Sequence, residues 1–312
     1  MPSRKSLKHA GSSRCSPSPF EHVINTYITS EKSVVRALSS NLRPLTSQST
    51  GHIIRLPQVH AVSLQQVSQL QAFTRGHRCG GVLVTPQHVL TAASCVFNTV
   101  NGVNTQINPA EYRVFAGAVI LTNDTAQERI RYIANFTVHP EYIAAPANLN
   151  DVAIVTLNVP FYNTTASPLP LPSPTFGPGD FSLCTVAGWG SQNLTAVVSD
   201  YISISPINDL CRSLYSNQPG SPNIFPNMIC AASYDIVSGD LGNALVCNGG
   251  LVGVLSFSNS CSGSSFPEVY VRLSNYTEWI TSVTGGASTF QPGVAVLIMF
   301  AVVQLITAKI VS

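Results

Sequence analysis

The stretch that decides the fold is Gly239-Asp240-Leu241-Gly242-Asn243-Ala244-Leu245-Val246-Cys247. Its first half holds two glycines and a carboxylate around a leucine, and its second half is a short apolar run that ends in a cysteine. Short runs rich in β-branched residues, separated by Gly, Pro, Asn and Ser, recur from residue 53 to about residue 283. The clearest are residues 81–84, 88–91, 112–115, 152–155, 183–186, 251–255 and 268–271. This pattern is typical of an all-β barrel or sandwich.

A single helix is predicted, near the end of this region. Ser274 can cap it, and residues 275–280 continue it. Tyr276, Trp279 and Ile280 fall on one face at helical spacing, so we expect that face to pack on the strands. No other segment carries a convincing helical pattern.

The composition indicates a chain that depends on uncharged polar groups for its solubility. Charged residues make up 10% of the 312 residues, against about 25% in a typical domain. The N-x-S/T pattern of glycan acceptors occurs at Asn123, Asn135, Asn163, Asn193 and Asn275. Five such patterns favour passage through the secretory pathway. The net charge of +2, without a long basic run, excludes the electrostatic footprint of a nucleic-acid-binding protein.

The cysteines point to disulfides rather than to a metal. There are eight, at positions 15, 79, 95, 184, 211, 230, 247 and 261. None forms a C-x-x-C pair, so a structural zinc site is not predicted. An even count with wide spacing favours disulfides formed in an oxidising compartment. No cofactor is predicted.

The two ends of the sequence differ from its middle. Residues 1–52 are predicted to be poorly structured, and no apolar core of a signal peptide is visible in them. Either the recorded start lacks or replaces the true leader, or the basic start is an organellar transit peptide; the sequons and cysteines favour the first. Residues 284–312 form a small-residue linker and an apolar tail, with GVAVLIMFAVVQLITA at 293–308. The tail is interpreted as a lipid-anchor signal, a short membrane helix or a buried apolar end, in that order.

Several motifs in a fixed order identify residues 53–283 as resembling the trypsin-like (chymotrypsin-family) serine proteases. The motifs are CGGVL at 79–83, LTAASC at 90–95, VHPEY at 138–142, NDVAI at 150–154, AGWG at 187–190, VLSF at 254–257, PEVY at 267–270 and the opening GDLGNALVC. They resemble the family's CGGSLI, LTAAHC, HP-x-Y, NDIAL, GWG, IVSW, PGVY and GDSGGPLVC. The resemblance implies two packed six-stranded β-barrels with a cleft between them.

The resemblance also implies a set of disulfides. These are Cys79–Cys95, Cys184–Cys247 and Cys211–Cys230. The family's fourth common bridge cannot form, because Val237 stands where the partner of Cys261 would be. Cys15 and Cys261 are left over, to pair with each other, pair with another chain or stay reduced.

By the same resemblance, two of the three catalytic positions of a serine protease are changed. Leu241 stands at the nucleophile position, and a hydrocarbon cannot form an acyl-enzyme. Ser94 stands at the position of the general base, and a serine has no basic site that titrates near neutrality. Only Asp151, at the position of the orienting carboxylate, is kept. His88, on the same predicted strand as Ser94, and His139 are interpreted as structural.

The substrate pocket implied by the resemblance is altered as well. Asp235 falls at its floor, and Ser258 and Glu268 replace two wall glycines, so Glu268 is expected to project into the pocket near Asp235. This is either a filled slot or drift after catalysis was lost, and both interpretations stay open. Gly239 and Asp240 keep the frame of the loop that would bind the oxyanion, but no arginine or lysine stands directly before residue 53, where an activating cut would fall.

Two functional hypotheses follow. The first is a catalytically inactive, extracellular or cell-surface protease homologue that binds a protein: a protease, an inhibitor, a receptor or a surface ligand. Its apolar tail is a candidate for membrane attachment. The alternative is a serine-type endopeptidase that uses a non-standard catalytic constellation.

Overall fold

The computed structural model describes residues 60–285, apart from residues 73–74, 119–120, 122–125, 163–165, 178–181, 190–196, 205–208, 217–222, 234–240 and 259–266. The strands, in chain order, are β1 Ala61–Gln66, β2 His77–Thr85, β3 His88–Thr91, β4 Phe97–Val100, β5 Val103–Gln106, β6 Tyr112–Ala116, β7 Ile130–Val138, β8 Ala153–Leu157, β9 Leu183–Gly188, β10 Val197–Ile204, β11 Met228–Ser233, β12 Ala244–Cys247, β13 Gly250–Phe257 and β14 Glu268–Arg272. Single-turn 3-10 helices lie at Val67–Gln69, Ala93–Val96, Pro109–Glu111, Gln127–Arg129 and Leu273–Asn275. The α-helices are α1 Asp209–Ser216 and α2 Thr277–Thr284.

Twelve of these strands form two closed barrels of six. The first barrel has the order β1-β2-β3-β8-β7-β6 and the second has the order β10-β11-β14-β13-β12-β9. Every pairing within them is antiparallel. The all-β fold with two six-stranded barrels and a short C-terminal helix, predicted from the motifs, is confirmed.

The remaining two strands form a separate hairpin. Among the described strands β4 pairs only with β5, in the register Phe97 with Gln106 and Val100 with Val103. The turn between them is Asn101-Gly102, with φ of 52° and 77° at the two residues. Asn-Gly with positive φ at both positions is the turn that matches the twist of a tight hairpin.

The prediction of a single helix, capped by Ser274, is wrong on both counts. Helix α1 is a second α-helix. Ser274 is buried within a 3-10 turn, and Tyr276 occupies the N-cap position of α2 without a side-chain cap. The expected apolar face is present, since Tyr276 and Ile280 are buried and Trp279 packs on the core.

The main hydrophobic core spans both barrels and includes this helix. It joins Leu83, Ile154 and their neighbours in the first barrel to Val254 and Val271 in the second, and to Ile280 in α2. Within the described residues there are three disulfides, at the three pairs that the resemblance implies: Cys79–Cys95, Cys184–Cys247 and Cys211–Cys230. Cys15 and Cys261 lie outside the described residues.

A polar junction also connects the two barrels. Asn227, which precedes β11, donates to Asn150 Oδ1 at 3.0 Å and to the Tyr276 hydroxyl at 2.6 Å. That hydroxyl donates in turn to Asn150 Oδ1 at 2.7 Å. Asn150 comes from the loop before β8, so one residue of each barrel and one at the start of α2 share these bonds.

The predictions for both ends of the chain concern residues 1–52 and 284–312, of which only Thr284, the last residue of α2, and Gly285 lie within the described part. Within the described part, no helix is long and apolar enough to cross a membrane.

Candidate functional site

Asp151 lies at the centre of the candidate site, between the two barrels. It follows Asn150, whose backbone adopts φ of 53°, and it precedes β8. Its side chain is fully buried. A buried carboxylate is stable only when hydrogen bonds replace its hydration. The groups that donate to Asp151 are therefore the main components of this site.

The donors to Asp151 are serine groups from both barrels. Ser94 donates twice, from its backbone N–H to Oδ1 at 2.6 Å and from its hydroxyl to Oδ2 at 3.0 Å. The hydroxyl of Ser256, on β13, donates to Oδ2 at 2.6 Å. Burial raises the pKa of the Asp151 carboxyl, and the hydrogen bonds from Ser256 and Ser94 oppose that rise.

This arrangement ties the two barrels together and places a serine hydroxyl, rather than an imidazole, against the Asp151 carboxylate. The Ser94 hydroxyl donates its proton in a hydrogen bond to Asp151 Oδ2. A neutral serine cannot hold a second proton at ordinary pH, as an imidazole in a catalytic triad does. What the site can do chemically is fix the 3-10 turn Ala93–Val96 against β13 through one shared carboxylate.

Leu241 presents a hydrocarbon at the surface of the same region. Its side chain is 38% exposed, and its carbonyl accepts a hydrogen bond from Gly80 N at 2.8 Å. The next residue, Gly242, has φ of 87° and donates from its backbone to Leu255 O at 2.8 Å. A Cβ on Gly242 would lie 2.4 Å from Gly80 O, so the close approach of the loop to β2 requires glycine there.

Asn243 makes an unusual contact just behind this loop. It is fully buried, and neither Oδ1 nor Nδ2 has a hydrogen-bond partner among the described protein atoms. Its side chain lies directly against the Cα of Gly80, where an added Cβ would come within 1.6 Å of Oδ1. The amide therefore fills the space between β12 and β2 without being satisfied.

The predicted pocket is described only in part. Glu268 is buried, and its Oε2 accepts a hydrogen bond from the Tyr270 hydroxyl at 2.6 Å. Ser258 is half-buried at the end of β13. Asp235, Gly239 and Asp240 lie outside the described residues, so the expected contact of Asp235 with Glu268 stays a prediction.

The histidines near the site have structural contacts. The strand that holds His88 ends at Thr91, so the prediction that His88 and Ser94 share a strand is wrong, and His88 Nδ1 lies 2.7 Å from Thr85 Oγ1. The His139 ring packs edge-on against Tyr276 and Trp279, with centroids 5.2 and 4.9 Å apart. Burial lowers the pKa of both rings. Among the described residues, no cluster of His, Cys, Asp and Glu could hold a metal ion.

Two residues of this site were not predicted from the sequence. Ser256 lies inside the quoted VLSF run, but its contact with Asp151, 105 positions away, depends on how the barrels close. Asn243 interrupts the opening stretch where its first half ends and the apolar run begins. A polar residue at the start of a strand gives no warning that it will be fully buried.

Comparison with known proteins agrees with this geometry. The sequence model of the trypsin family matches residues 57–280. The urokinase-type plasminogen activator of Gallus gallus is 29% identical over 223 residues, which cover 65% of this chain and 50% of that protein. The trypsin of Phaedon cochleariae is 26% identical over 217 residues, covering 67% of this chain and 79% of that trypsin. The chain therefore spans half of the first relative and most of the second.

A solved structure shows the same fold. Human heparin binding protein superimposes with a TM-score of 0.58 at 26% identity, covering 76% of this chain and 97% of that one.

Proposed function

The chain belongs to the trypsin family, and from that premise we propose that it is a catalytically inactive member that acts by binding a protein. The observation that carries the proposal is the double hydrogen bond from Ser94 to Asp151. The carboxylate that would orient a general base instead holds a serine, which cannot act as one. The hydrocarbon side chain of Leu241 supplies no nucleophile.

The retained scaffold supports a binding role. The two closed barrels and three disulfides form a rigid support, and loops on such a support are where binding residues concentrate. A protein named for binding heparin has this fold, so the fold is compatible with binding as well as with proteolysis. The partner proposed here is a protein: a protease, an inhibitor, a receptor or a surface ligand.

We further propose that the protein is a secreted or surface-anchored glycoprotein. Asn135 and Asn275 are exposed, which an attached glycan requires. Asn123, Asn163 and Asn193 lie outside the described residues. Release of the protein from cells by a phosphatidylinositol-specific phospholipase is expected if the tail is a lipid-anchor signal, and retention is expected if it is a membrane helix.

Labelling by a fluorophosphonate probe tests the inactive state directly. We expect no labelling of the folded protein above that of a heat-denatured sample, while an active trypsin labels under the same conditions. If the folded protein labels, the alternative of a non-standard endopeptidase gains support. The Ser94→Ala variant then shows whether Ser94 is the unexpected nucleophile, because only its hydroxyl would be lost.

A restoration experiment separates the loss of the catalytic groups from the loss of the pocket. Ser94→His with Leu241→Ser replaces the base and the nucleophile. We expect this double variant to stay inactive on peptides with basic side chains, and adding Glu268→Gly to raise the activity. If the double variant is already active, Glu268 does not block the pocket.

A further inference from the structure

The hairpin of β4 and β5 is the most exposed regular element in the described part of the chain. All residues from Asn98 to Gln106 are exposed, and Val100 and Val103 reach 65% and 64% exposure. It pairs with neither barrel. An isolated two-stranded hairpin is only marginally stable in water, so this one needs support from elsewhere.

The base of the hairpin is firmly attached to the first barrel. Arg78 donates from Nε to Cys95 O at 2.6 Å and from Nη2 to Phe97 O at 2.5 Å. The Phe97 ring stacks on Tyr142 with centroids 5.7 Å apart. Ile107 N donates to Val96 O at 2.9 Å, which continues the ladder below the strands. The tip therefore projects from a fixed position.

The hydrogen-bond pattern determines which backbone groups point outward. Residues that flank a two-residue turn form a hydrogen-bonded pair, and the pairs then alternate along an antiparallel ladder. Val100 with Val103 and Asn98 with Thr105 are therefore bonded pairs. Thr99 with Asn104 and Phe97 with Gln106 are the non-bonded pairs, whose N–H and C=O groups face away from the hairpin.

The two outer edges are not equivalent. On β4, the outward carbonyl of Phe97 is already bonded to Arg78. On β5, both Asn104 and Gln106 present outward N–H and C=O groups, and no backbone contact within the described part of the chain takes them. The β5 edge is thus the more open one for another strand.

The side chains of the hairpin do nothing to prevent such pairing. Exposed edges are usually protected by lysine, proline, a bulge or a covering element. Residues 97–106 contain no charged residue and no proline, and the β4–β5 register has no bulge. None of the asparagines at 98, 101 and 104 lies in an N-x-S/T pattern, so the hairpin itself offers no acceptor for an N-linked glycan.

We propose that the β5 edge pairs antiparallel with β5 of a second copy of this chain, about a two-fold axis at Thr105. Asn104 of each copy then lies opposite Gln106 of the other, and their outward groups form four backbone hydrogen bonds. The two Thr105 side chains face each other as a non-bonded cross-strand pair, a favourable neighbour combination. In this register Val103 of each copy lies opposite Ile107 of the other.

A second copy is the occupant that the composition favours. The strand is uncharged, so two copies meet without repulsion, and the register is self-complementary about one residue. The contact is small, because one short hairpin cannot supply the 1,200–2,000 Å² or so of a stable interface. The dimer is therefore weak and reversible, forming at high local concentration.

Sedimentation equilibrium of the full-length chain tests the proposal. We expect a reversible monomer–dimer equilibrium for the wild type at concentrations up to about 1 mM. Thr105→Lys places two lysines opposite each other and should raise the dissociation constant about tenfold or more, since like charges directly opposite are destabilising. Thr99→Lys is the matched control, with the same charge on the other strand, and should change it by less than about twofold.

A cross-linking variant gives an independent measurement. Residues in a non-bonded antiparallel pair have Cα atoms about 4.5 Å apart, which suits a disulfide. Thr105→Cys should therefore form a covalent dimer on mild oxidation, and Thr99→Cys should not. A wild type that stays monomeric at every concentration, a Thr105→Lys variant that dimerises like the wild type, or equal cross-linking of the two cysteine variants would each overturn the proposal. The melting temperatures of the variants, which should match the wild type, show that the monomer is intact.

Discussion

Replacing Asn243 with alanine should stabilise the protein. Asn243 is fully buried, and both polar atoms of its amide lack a partner among the described residues. A buried unsatisfied donor or acceptor costs about 1–3 kcal/mol. Alanine removes both polar atoms and leaves a small void against Gly80, which offsets part of the gain. The net expectation is an increase of about 1–3 kcal/mol in the free energy of unfolding, or about 2–4 °C in melting temperature for each kcal/mol.

Urea denaturation and differential scanning calorimetry of both proteins measure this change. A double-mutant cycle with Gly80→Ala makes the test specific, because a Cβ at position 80 would lie 1.6 Å from Asn243 Oδ1 but 3.4 Å from its backbone N. Gly80→Ala alone should be severely destabilising, and in the Asn243→Ala background it should be tolerated. A loss of stability in Asn243→Ala, or two substitutions whose effects simply add, would refute the reasoning.

Three further predictions concern titration and the junction of the barrels. Burial lowers the pKa of His60 from 6.5 to about 4. The free energy of unfolding should therefore fall as the pH drops from 6.5 to 4. In urea titrations, His60→Gln should remove about 2–3 kcal/mol of that fall. Burial raises the pKa of Asp151 above 3.8, so its contribution to stability is largest below pH 3.8 and is lost as the pH rises through the folded-state pKa. The stability of the wild type relative to Asp151→Asn should therefore decrease from about pH 3 to pH 7, and an increase would contradict the raised pKa. Tyr276→Phe removes a hydroxyl bonded to both Asn150 and Asn227 and should cost about 1 kcal/mol in thermal unfolding, whereas an unchanged melting temperature would mean that this junction contributes nothing.

The barrel strands were predictable because most of them are short runs of buried, mostly apolar residues, and because Gly, Pro, Asn and Ser mark the turns between the runs. β3 coincides with the run at 88–91, and β14 begins at Glu268 as the sequence pattern indicates. The hairpin carries no core-facing pattern, since its side chains are almost all exposed, but Asn101-Gly102 between Val100 and Val103 is a hairpin signal that the sequence does contain. Helix α1 is eight residues long, as α2 is, and its Leu210, Cys211, Leu214 and Tyr215 recur at helical spacing, so periodicity could have identified it.

The candidate site was predictable where motifs place residues and unpredictable where tertiary contacts decide. The resemblance put Ser94 and Asp151 in one site, and the structure brings them into direct hydrogen-bond contact. Nothing in the local sequence indicates that the Ser256 hydroxyl would also donate a hydrogen bond to Asp151. The failed cap at Ser274 has a similar cause, because packing buried a hydroxyl that local propensity would have left at the helix start.

The junction of Asn150, Asn227 and Tyr276 has a consequence for cooperativity. Its bonds, the shared carboxylate of Asp151 and one continuous core all cross the boundary between the barrels. Neither barrel can open without uncovering apolar surface of the other, so a state with one barrel folded alone is strongly disfavoured. The calorimetric and van't Hoff enthalpies of unfolding should therefore coincide, as they do for a single two-state unit. A substitution that destabilises either barrel then lowers the free energy of unfolding of the whole domain.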